Sequence, residues 1–222
     1  MVRKFLILLV LSLVFSCSSE ETSKNYLALG DSYTIGEGVA KSDRWPVLLV
    51  EDLKNRGYSI DSLNIIARTS WTTDELILGL IETPTLPEYD LITIMIGVNN
   101  QYKGRSLKNF RDELKVLIEL CLKMTAGDFS KVFLISIPDW GVTPYADRFD
   151  GSLIADEINA FNSEIIQVSQ ESNIRYIDVT EISRQAAQDS RLLVADSLHP
   201  SGLMYTKWVE KIAPIIYEVV NE

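Results

Sequence analysis

Residues 26–33 read Tyr26-Leu27-Ala28-Leu29-Gly30-Asp31-Ser32-Tyr33. An apolar run leads to Gly30, and it is followed by the acidic residue Asp31 and the hydroxyl-bearing residue Ser32. A short aliphatic run without polar alternation is typical of a strand that is covered on both faces. We predict this strand over residues 26–30. Asp31 and Ser32 then follow its carboxyl end, which is the edge where open α/β sheets bind ligands.

The rest of the chain alternates between apolar runs and amphipathic segments. Further strands are predicted over residues 62–67, 91–97, 131–137 and 175–178. Helices are predicted over residues 45–55, 73–82, 106–125, 153–172 and 203–220. Pro214 is expected to kink or split the last helix. This alternation predicts an α/β fold of three layers, with a parallel sheet between two layers of helices.

Polar segments follow the predicted strands or precede the last helix, so we expect them at one edge of the sheet. The only histidine of the chain, His199, lies in the last of these segments, three positions after Asp196. A serine hydrolase needs a hydroxyl, a base that takes its proton and a carboxylate that orients the base. Ser32 with the Asp196/His199 pair supplies these three groups.

The composition excludes several classes of function. A chain of 222 residues suits one domain with a substantial core, and its net charge is −10. Nucleic-acid binding needs clustered Lys and Arg, and the sequence has no basic stripe. One histidine without a cysteine pair offers no metal-ligand set, and Gly36-Glu37-Gly38 lacks the third glycine of a dinucleotide-binding turn. We therefore expect no nucleic acid, metal or organic cofactor.

The N-terminus resembles a bacterial lipoprotein signal. Arg3 and Lys4 precede an apolar run over residues 5–15 that is too short to span a membrane, and Cys17 follows as the lipidation site. Phe15 is bulky for the position two residues before the cleavage site. An ordinary secreted protein and a protein with an uncleaved anchor therefore remain as alternatives. The resemblance implies an extracytoplasmic protein that is lipid-anchored in the bacterial cell envelope, at the periplasm or the cell surface. It divides the chain into a signal peptide, a lipidated tether and one globular domain, over residues 1–16, 17–24 and 25–222.

The second cysteine has a simpler interpretation. Cys121 lies on the apolar face of the helix predicted over residues 106–125. It has no disulfide partner if Cys17 is lipidated. We interpret Cys121 as a small buried residue of the core and not as a nucleophile.

Four polar blocks follow one another along the chain, namely Gly30-Asp31-Ser32-Tyr33, Ala67-Arg68-Thr69-Ser70-Trp71-Thr72-Thr73, Gly97-Val98-Asn99-Asn100 and Asp196-Ser197-Leu198-His199-Pro200. In this order they resemble the SGNH (GDSL) hydrolase family. Each block alone is a weak signal, whereas the ordered set at strand ends is specific. The resemblance spans residues 25–220 and implies the flavodoxin-like, five-stranded parallel sheet of that family.

The resemblance also implies a role for each block. Ser32 corresponds to the nucleophile that forms an acyl-enzyme, and His199 to the base that takes its proton. Asp196 would fix the imidazole tautomer and stabilise the imidazolium. The oxyanion would be held by the backbone N–H groups of Ser32 and Ser70 and by the side chain of Asn99.

Three positions depart from the family pattern. Tyr33 replaces the leucine of GDSL, and we expect little effect because it points away from the chemistry or lines the pocket. Asn100 stands where the family usually has an aspartate, so a charge that braces the site is lost. Ser70 stands where the family has a glycine, and a serine is strained if this position needs a positive φ.

These features predict a serine ester hydrolase, an SGNH-type esterase or lipase, that acts on acetylated glycan or lipid esters. Arg68, Trp71, Trp140 and Tyr145 are candidate substrate-binding residues, because aromatic rings near strand ends can stack on a sugar or enclose an acyl chain. The alternative is a lipid-anchored binding protein that keeps the fold with weak turnover, and Ser70 is its only support. The natural ester and the oligomeric state are not predicted.

Overall fold

The computed structural model describes residues 23–83 and 88–221. The predicted signal peptide, Cys17 and nearly all of the predicted tether lie outside these residues. None of the helices in the described ranges has the length and apolarity that crossing a membrane requires.

A parallel sheet forms the centre of this part of the chain. Its five strands are β1 Asn25–Gly30, β2 Ser62–Ala67, β3 Leu91–Met95, β4 Val132–Ile135 and β5 Arg175–Ile177. The strand order is β2-β1-β3-β4-β5 and every pairing is parallel, which confirms the predicted flavodoxin-like sheet. The order reverses between β1 and β3, and ligands bind at such a switch point.

Helices flank the sheet on both sides, as predicted. In chain order they are α1 Ser32–Ile35, α2 Trp45–Asn55, α3 Thr73–Glu82, α4 Val98–Tyr102, α5 Leu107–Met124, α6 Gly151–Glu171, α7 Thr180–Arg184 and α8 Gly202–Val220. α2 packs against α8, while α5 packs against both α3 and α6. The short helices α1, α4 and α7 were not predicted, because one turn of helix carries no readable apolar period.

Pro214 does not split the last helix. α8 runs without interruption from Gly202 to Val220 with Pro214 inside it. Pro214 lies on the exposed side, and so does Glu210, whose carbonyl loses its helical N–H partner. Water can satisfy that carbonyl, so the helix continues past the proline.

The core lies on both faces of the sheet. Strand β3 is buried along its whole length, and β1 is buried from Tyr26 onwards. Cys121 on α5 is fully buried and unpaired, and burial raises the pKa of its thiol. This environment confirms the interpretation of Cys121 as a core residue.

Candidate active site

The segment after β1 presents a serine at the start of a helix. Ser32 is the first residue of α1, and Asp31 caps that helix by accepting a hydrogen bond of 3.0 Å from the Tyr33 N–H. Gly30 is required before this turn, because a Cβ there would overlap Thr34 Oγ1 and the Met95 carbonyl. The Ser32 N–H therefore lies in the first turn of a helix, where no intrahelical acceptor exists.

The segment before α8 forms a tight turn around one carboxylate. Asp196 Oδ1 accepts hydrogen bonds of 2.9 Å from the N–H groups of both Leu198 and His199. Asp196 Oδ2 lies 2.6 Å from His199 Nδ1. A β-bridge between Leu193 and Pro200 closes the base of this loop. The carboxylate therefore fixes both the backbone and the imidazole ring.

The two segments meet at the edge of the sheet. His199 Nε2 lies 2.9 Å from Ser32 Oγ, although 167 positions separate the two residues. Burial raises the pKa of Asp196, but the hydrogen bonds from the imidazole and the backbone outweigh it, and the net pKa is lowered. Asp196 is therefore ionised at neutral pH and oriented towards the ring. The structure thus brings together the hydroxyl, the base and the carboxylate that the sequence singled out.

Helix α8 contacts the segment that carries Ser32. The Tyr205 hydroxyl donates a buried hydrogen bond of 3.0 Å to the Tyr33 carbonyl. The Tyr33 ring packs beside the imidazole of His199, with 5.2 Å between the ring centroids. Tyr33 therefore lines the site, which was one of the two positions expected for it.

The three predicted oxyanion donors line one cleft with His199. Ser70 adopts a φ of 68°, the left-handed conformation that the family glycine would take without strain. Its N–H has no acceptor among residues 23–83 and 88–221. Asn99 Nδ2 donates to the Trp71 carbonyl at 3.1 Å and to Asp31 Oδ2 at 3.2 Å. Both N–H bonds of the Asn99 amide are therefore used before any substrate is bound.

Asp31 is a buried acid next to this donor. Burial raises the pKa of Asp31 to about 7, and the hydrogen bonds from the Tyr33 N–H and the Asn99 amide offset only part of that rise. The carboxyl group therefore changes its charge near neutral pH. Its charge bears directly on the strength of its hydrogen bond with Asn99.

The cleft is small and has one aromatic wall. Its volume is about 120 Å³. Trp140 and Tyr145, both predicted to bind substrate, line it. The other lining residues are Ser32, Tyr33, Thr69, Ser70, Val98, Asn99, Tyr102, Leu198 and His199.

Comparison with protein families identifies the relatives of this chain. Residues 28–207 match the GDSL-like Lipase/Acylhydrolase family. The chain belongs to this family of ester hydrolases. No curated protein sequence matches it significantly.

Solved structures similar to this GDSL hydrolase include three ester hydrolases. The lipase/acylhydrolase from Enterococcus faecalis has 21% identity and a TM-score of 0.69, over 88% of this chain and 96% of that one. The esterase EstA from Pseudoalteromonas sp. has 19% identity and a TM-score of 0.65, over 90% and 100%. The acetyl xylan esterase AlAXEase has 18% identity and a TM-score of 0.67, over 86% and 98%. At these identities the likeness establishes a shared fold.

Two candidate substrate-binding residues of this GDSL hydrolase do not reach the cleft. The Trp71 indole packs over Gly79 on α3, where the missing side chain leaves room for the ring. Arg68 is exposed, and its carbonyl accepts a hydrogen bond of 3.2 Å from the Trp71 N–H. The prediction for these two side chains is therefore not supported. Trp71 contributes to the site through its carbonyl, which Asn99 binds.

Sequence reasoning missed part of the aromatic wall. Tyr102 and Phe149 pack edge-on against Trp140, with centroids 5.5 Å and 5.3 Å from its ring, and they are 48% and 42% exposed. Arg148 lies over the Tyr145 ring at 4.7 Å. Tyr102 follows Asn99 by one helical turn, which is a signal that could have placed it at the cleft. Nothing in the sequence around Phe149 gives such a signal.

Asn100, which stands where the family usually has an aspartate, is buried. Its Oδ1 accepts a hydrogen bond of 3.1 Å from the Thr73 N–H, and its Nδ2 donates one of 2.7 Å to Thr73 Oγ1. The Thr73 hydroxyl in turn donates to Glu113 on α5. Asn100 therefore braces the first residue of α3 without a charge.

In the part of the chain that the structure describes, no group of three or more His, Cys, Asp or Glu side chains could hold a metal ion.

Proposed function

We propose that this enzyme hydrolyses carboxylic esters through an acyl-enzyme on Ser32. The observation that carries the proposal is the hydrogen bond of 2.9 Å between Ser32 Oγ and His199 Nε2, with Asp196 on the other ring nitrogen. A serine hydroxyl becomes a competent nucleophile only when a base within hydrogen-bond reach removes its proton. His199 meets that requirement in the resting enzyme.

The reaction follows from this arrangement in two halves. His199 Nε2 takes the Ser32 proton as Oγ bonds to the ester carbonyl carbon, and Asp196 stabilises the imidazolium that forms. The imidazolium then gives its proton to the leaving alcohol. In the second half, the same ring removes a proton from water, which attacks the acyl carbon. The bond between that carbon and Ser32 Oγ then breaks, the imidazolium returns its proton to Oγ, and the acid leaves.

Negative charge on the substrate carbonyl oxygen is stabilised by the N–H groups of Ser32 and Ser70 and by Asn99. Each such donor is worth about 3–4 kcal/mol in the barrier of acyl transfer. The Asn99 amide already has two acceptors, the Trp71 carbonyl and the Asp31 carboxyl group, so the oxyanion competes with them for an N–H.

For the substrate, we propose an ester with a short acyl group, on an acetylated glycan or a lipid. The cleft volume of about 120 Å³ is small, which suits an acetyl group better than a long acyl chain. The exposed rings of Tyr102 and Phe149 offer flat apolar faces beside it, of the kind on which a sugar ring stacks. The similar fold of an acetyl xylan esterase supports the glycan.

The location is proposed from the sequence alone. The lipoprotein-like segment ending at Cys17 supports an extracytoplasmic, lipid-anchored enzyme. Metabolic labelling with a fatty acid analogue tests this directly. Label should be incorporated into the wild-type protein and be lost in Cys17→Ser, while Cys121→Ser keeps the label. Unlabelled wild-type protein would contradict the anchor and leave the proposed chemistry untouched.

A fluorophosphonate probe tests the proposed nucleophile. We expect labelling of the wild-type protein and none of Ser32→Ala or His199→Ala, with hydrolysis of p-nitrophenyl acetate lost in parallel. Ser42→Ala, which changes an exposed serine near α2, is the matched control and should behave as wild type. Turnover by Ser32→Ala at the wild-type rate would refute the proposal. A folded wild-type protein without any labelling would favour the alternative, a binding protein with a strained Ser70.

Two phenylalanine variants test the substrate class. Phe149 and Phe129 are both 42% exposed, but only Phe149 packs on the cleft wall. Phe149→Ala should raise KM for an acetylated xylo-oligosaccharide several-fold, whereas Phe129→Ala should leave it unchanged. Equal KM values for both variants, together with faster hydrolysis of long-chain esters, would favour a lipid ester.

A further inference from the structure

One lysine contacts both of the segments that carry the proposed oxyanion donors Ser70 and Asn99. Lys103 follows α4, and its Nζ donates a hydrogen bond of 2.9 Å to the carbonyl oxygen of Ser70. Its backbone N–H donates a hydrogen bond of 3.0 Å to the carbonyl oxygen of Asn99. A single residue thus contacts the main chain of both donors.

The lysine head group is itself held from the other side. Lys103 Nζ lies 3.1 Å from Glu75 Oε2 on α3. The same carboxylate oxygen accepts a hydrogen bond of 2.9 Å from the Thr72 N–H, which closes the capping box of that helix. The ammonium group of Lys103 therefore contacts both the N-terminal cap of α3 and the Ser70 carbonyl, and these two contacts hold it in position.

Ser70 needs such a restraint. A non-glycine residue stays in the left-handed region only when its surroundings hold it there. If Ser70 relaxed to a negative φ, the peptide groups on either side would rotate, and the Ser70 N–H would turn away from its present direction. A hydrogen bond to the Ser70 carbonyl resists that rotation.

We propose that Lys103 is a positioning residue of the oxyanion hole. It binds the Ser70 carbonyl and thereby keeps the Ser70 N–H directed at the substrate's carbonyl oxygen. This rests on the proposed acyl transfer at Ser32. The lysine compensates for a serine at a position where the family has a glycine, and it does so without lining the cleft.

The proposal predicts an effect on kcat rather than KM. Lys103→Met removes the donor and keeps the length of the side chain, so kcat for p-nitrophenyl acetate should fall on the order of tenfold, with KM within about twofold. Lys103→Arg keeps a charged donor and should recover most of the loss. Lys108→Met removes another exposed lysine with an acidic partner, Asp112, and should leave kcat unchanged.

A double variant separates positioning from a general effect of charge. Glycine takes a positive φ without help, so Lys103→Met should lower kcat much less in a Ser70→Gly background than in the wild-type background. Circular dichroism checks that each variant is folded, and Lys103→Leu, which also lacks a donor, replaces Lys103→Met if the latter is not.

Two results would overturn the proposal. The first is a kcat that stays within twofold of wild type in folded Lys103→Met. The second is an equal loss in the wild-type and Ser70→Gly backgrounds, which would indicate a long-range effect of the charge. Neither result depends on the fluorophosphonate experiment: if Ser32→Ala kept full turnover, the proposed function would fail whatever Lys103 does.

Discussion

The Asp31 carboxyl group and the Asn99 side-chain amide are hydrogen-bonded beside the nucleophile, with 3.2 Å between Oδ2 and Nδ2. The other oxygen of Asp31 accepts from the Tyr33 N–H. One buried acid therefore binds both the start of α1 and the side chain proposed to hold the oxyanion. Its ionisation couples the stability of the fold to the geometry of the site.

Stability should depend on pH through Asp31. Its pKa is about 7 in the folded chain and near 3.8 when exposed, so between these values the folded state holds a proton that the unfolded state has lost. This contribution is present at low pH and is lost as pH rises from about 4 to about 7. Asp31→Asn cannot ionise. Urea unfolding of both proteins should show the wild type losing stability relative to the variant, on the order of 4 kcal/mol over that window. A difference that is constant with pH would contradict the assignment.

Removal of the Asn99 amide should destabilise the transition state of acyl transfer. Asn99→Ala is expected to lower kcat by about 10²–10³ with little change in KM, because the oxyanion exists only after bond formation. Steady-state kinetics on p-nitrophenyl acetate measure this. Asn109→Ala, on the exposed side of α5, is the control and should match wild type. An unchanged kcat in Asn99→Ala would remove Asn99 from the oxyanion role.

We expect the Asp196 side chain to contribute to kcat, because its negative charge stabilises the imidazolium and its Oδ2 accepts a hydrogen bond from His199 Nδ1. In Asp196→Asn the amide can donate to His199 Nδ1, which favours the wrong tautomer, and kcat should fall by about 10³–10⁴. Asp189→Asn changes a nearby carboxylate that pairs with Arg191 away from the cleft and should leave kcat unaltered. If kcat fell by the same small factor in both variants, the orienting role of Asp196 would be wrong.

Ser70 should carry a measurable strain. Ser70→Gly relieves a left-handed φ of 68°, and the relief exceeds the entropy that glycine adds to the unfolded chain. We expect the free energy of unfolding to rise by about 1 kcal/mol in urea titrations. Ser106→Gly alters a serine with an ordinary φ of −71° and should give no gain. A loss of stability in Ser70→Gly would show that the serine side chain makes up for its strain.

Asn100 should not tolerate the aspartate that the family usually has there. An aspartate would draw the Thr73 hydroxyl proton away from Glu113 and leave two carboxylates around one donor. Asn100→Asp is expected to destabilise the fold by about 1–3 kcal/mol. Adding Glu113→Gln should restore most of that loss, because the amide can donate to Thr73 Oγ1. Chemical denaturation of the three proteins gives the comparison, and a failed rescue would rule out this account.

The sequence predicted those parts of the site that depend on regular structure. The carboxyl ends of β1 and β3 must be adjacent in a sheet of this order, so Ser32 and Asn99 could be placed together. Asp196 and His199 lie within one turn, so their contact needed no knowledge of the fold. The sheet order itself was predicted through the family resemblance and is confirmed.

Contacts that depend on side-chain packing or on the path of a loop could not be predicted from the sequence. The direction of the Trp71 ring depends on the space above Gly79, which is a feature of helix α3 and of its packing. Phe149 packs against Trp140 of the cleft wall from a loop whose path has no periodic pattern. The hydrogen bond from Lys103 to the Ser70 carbonyl depends on the length of a flexible side chain, and nothing in the spacing of these two residues indicates it.

The separation between Ser32 and His199 also bears on when the enzyme becomes active. Ribosomes make the nucleophile segment among the first parts of the domain and the imidazole among the last, just before α8. Until that helix docks and Tyr205 binds the Tyr33 carbonyl, the hydroxyl has no base beside it. A partly synthesised chain that lacks this segment therefore has no Ser32–His199 pair, on which the proposed catalysis depends.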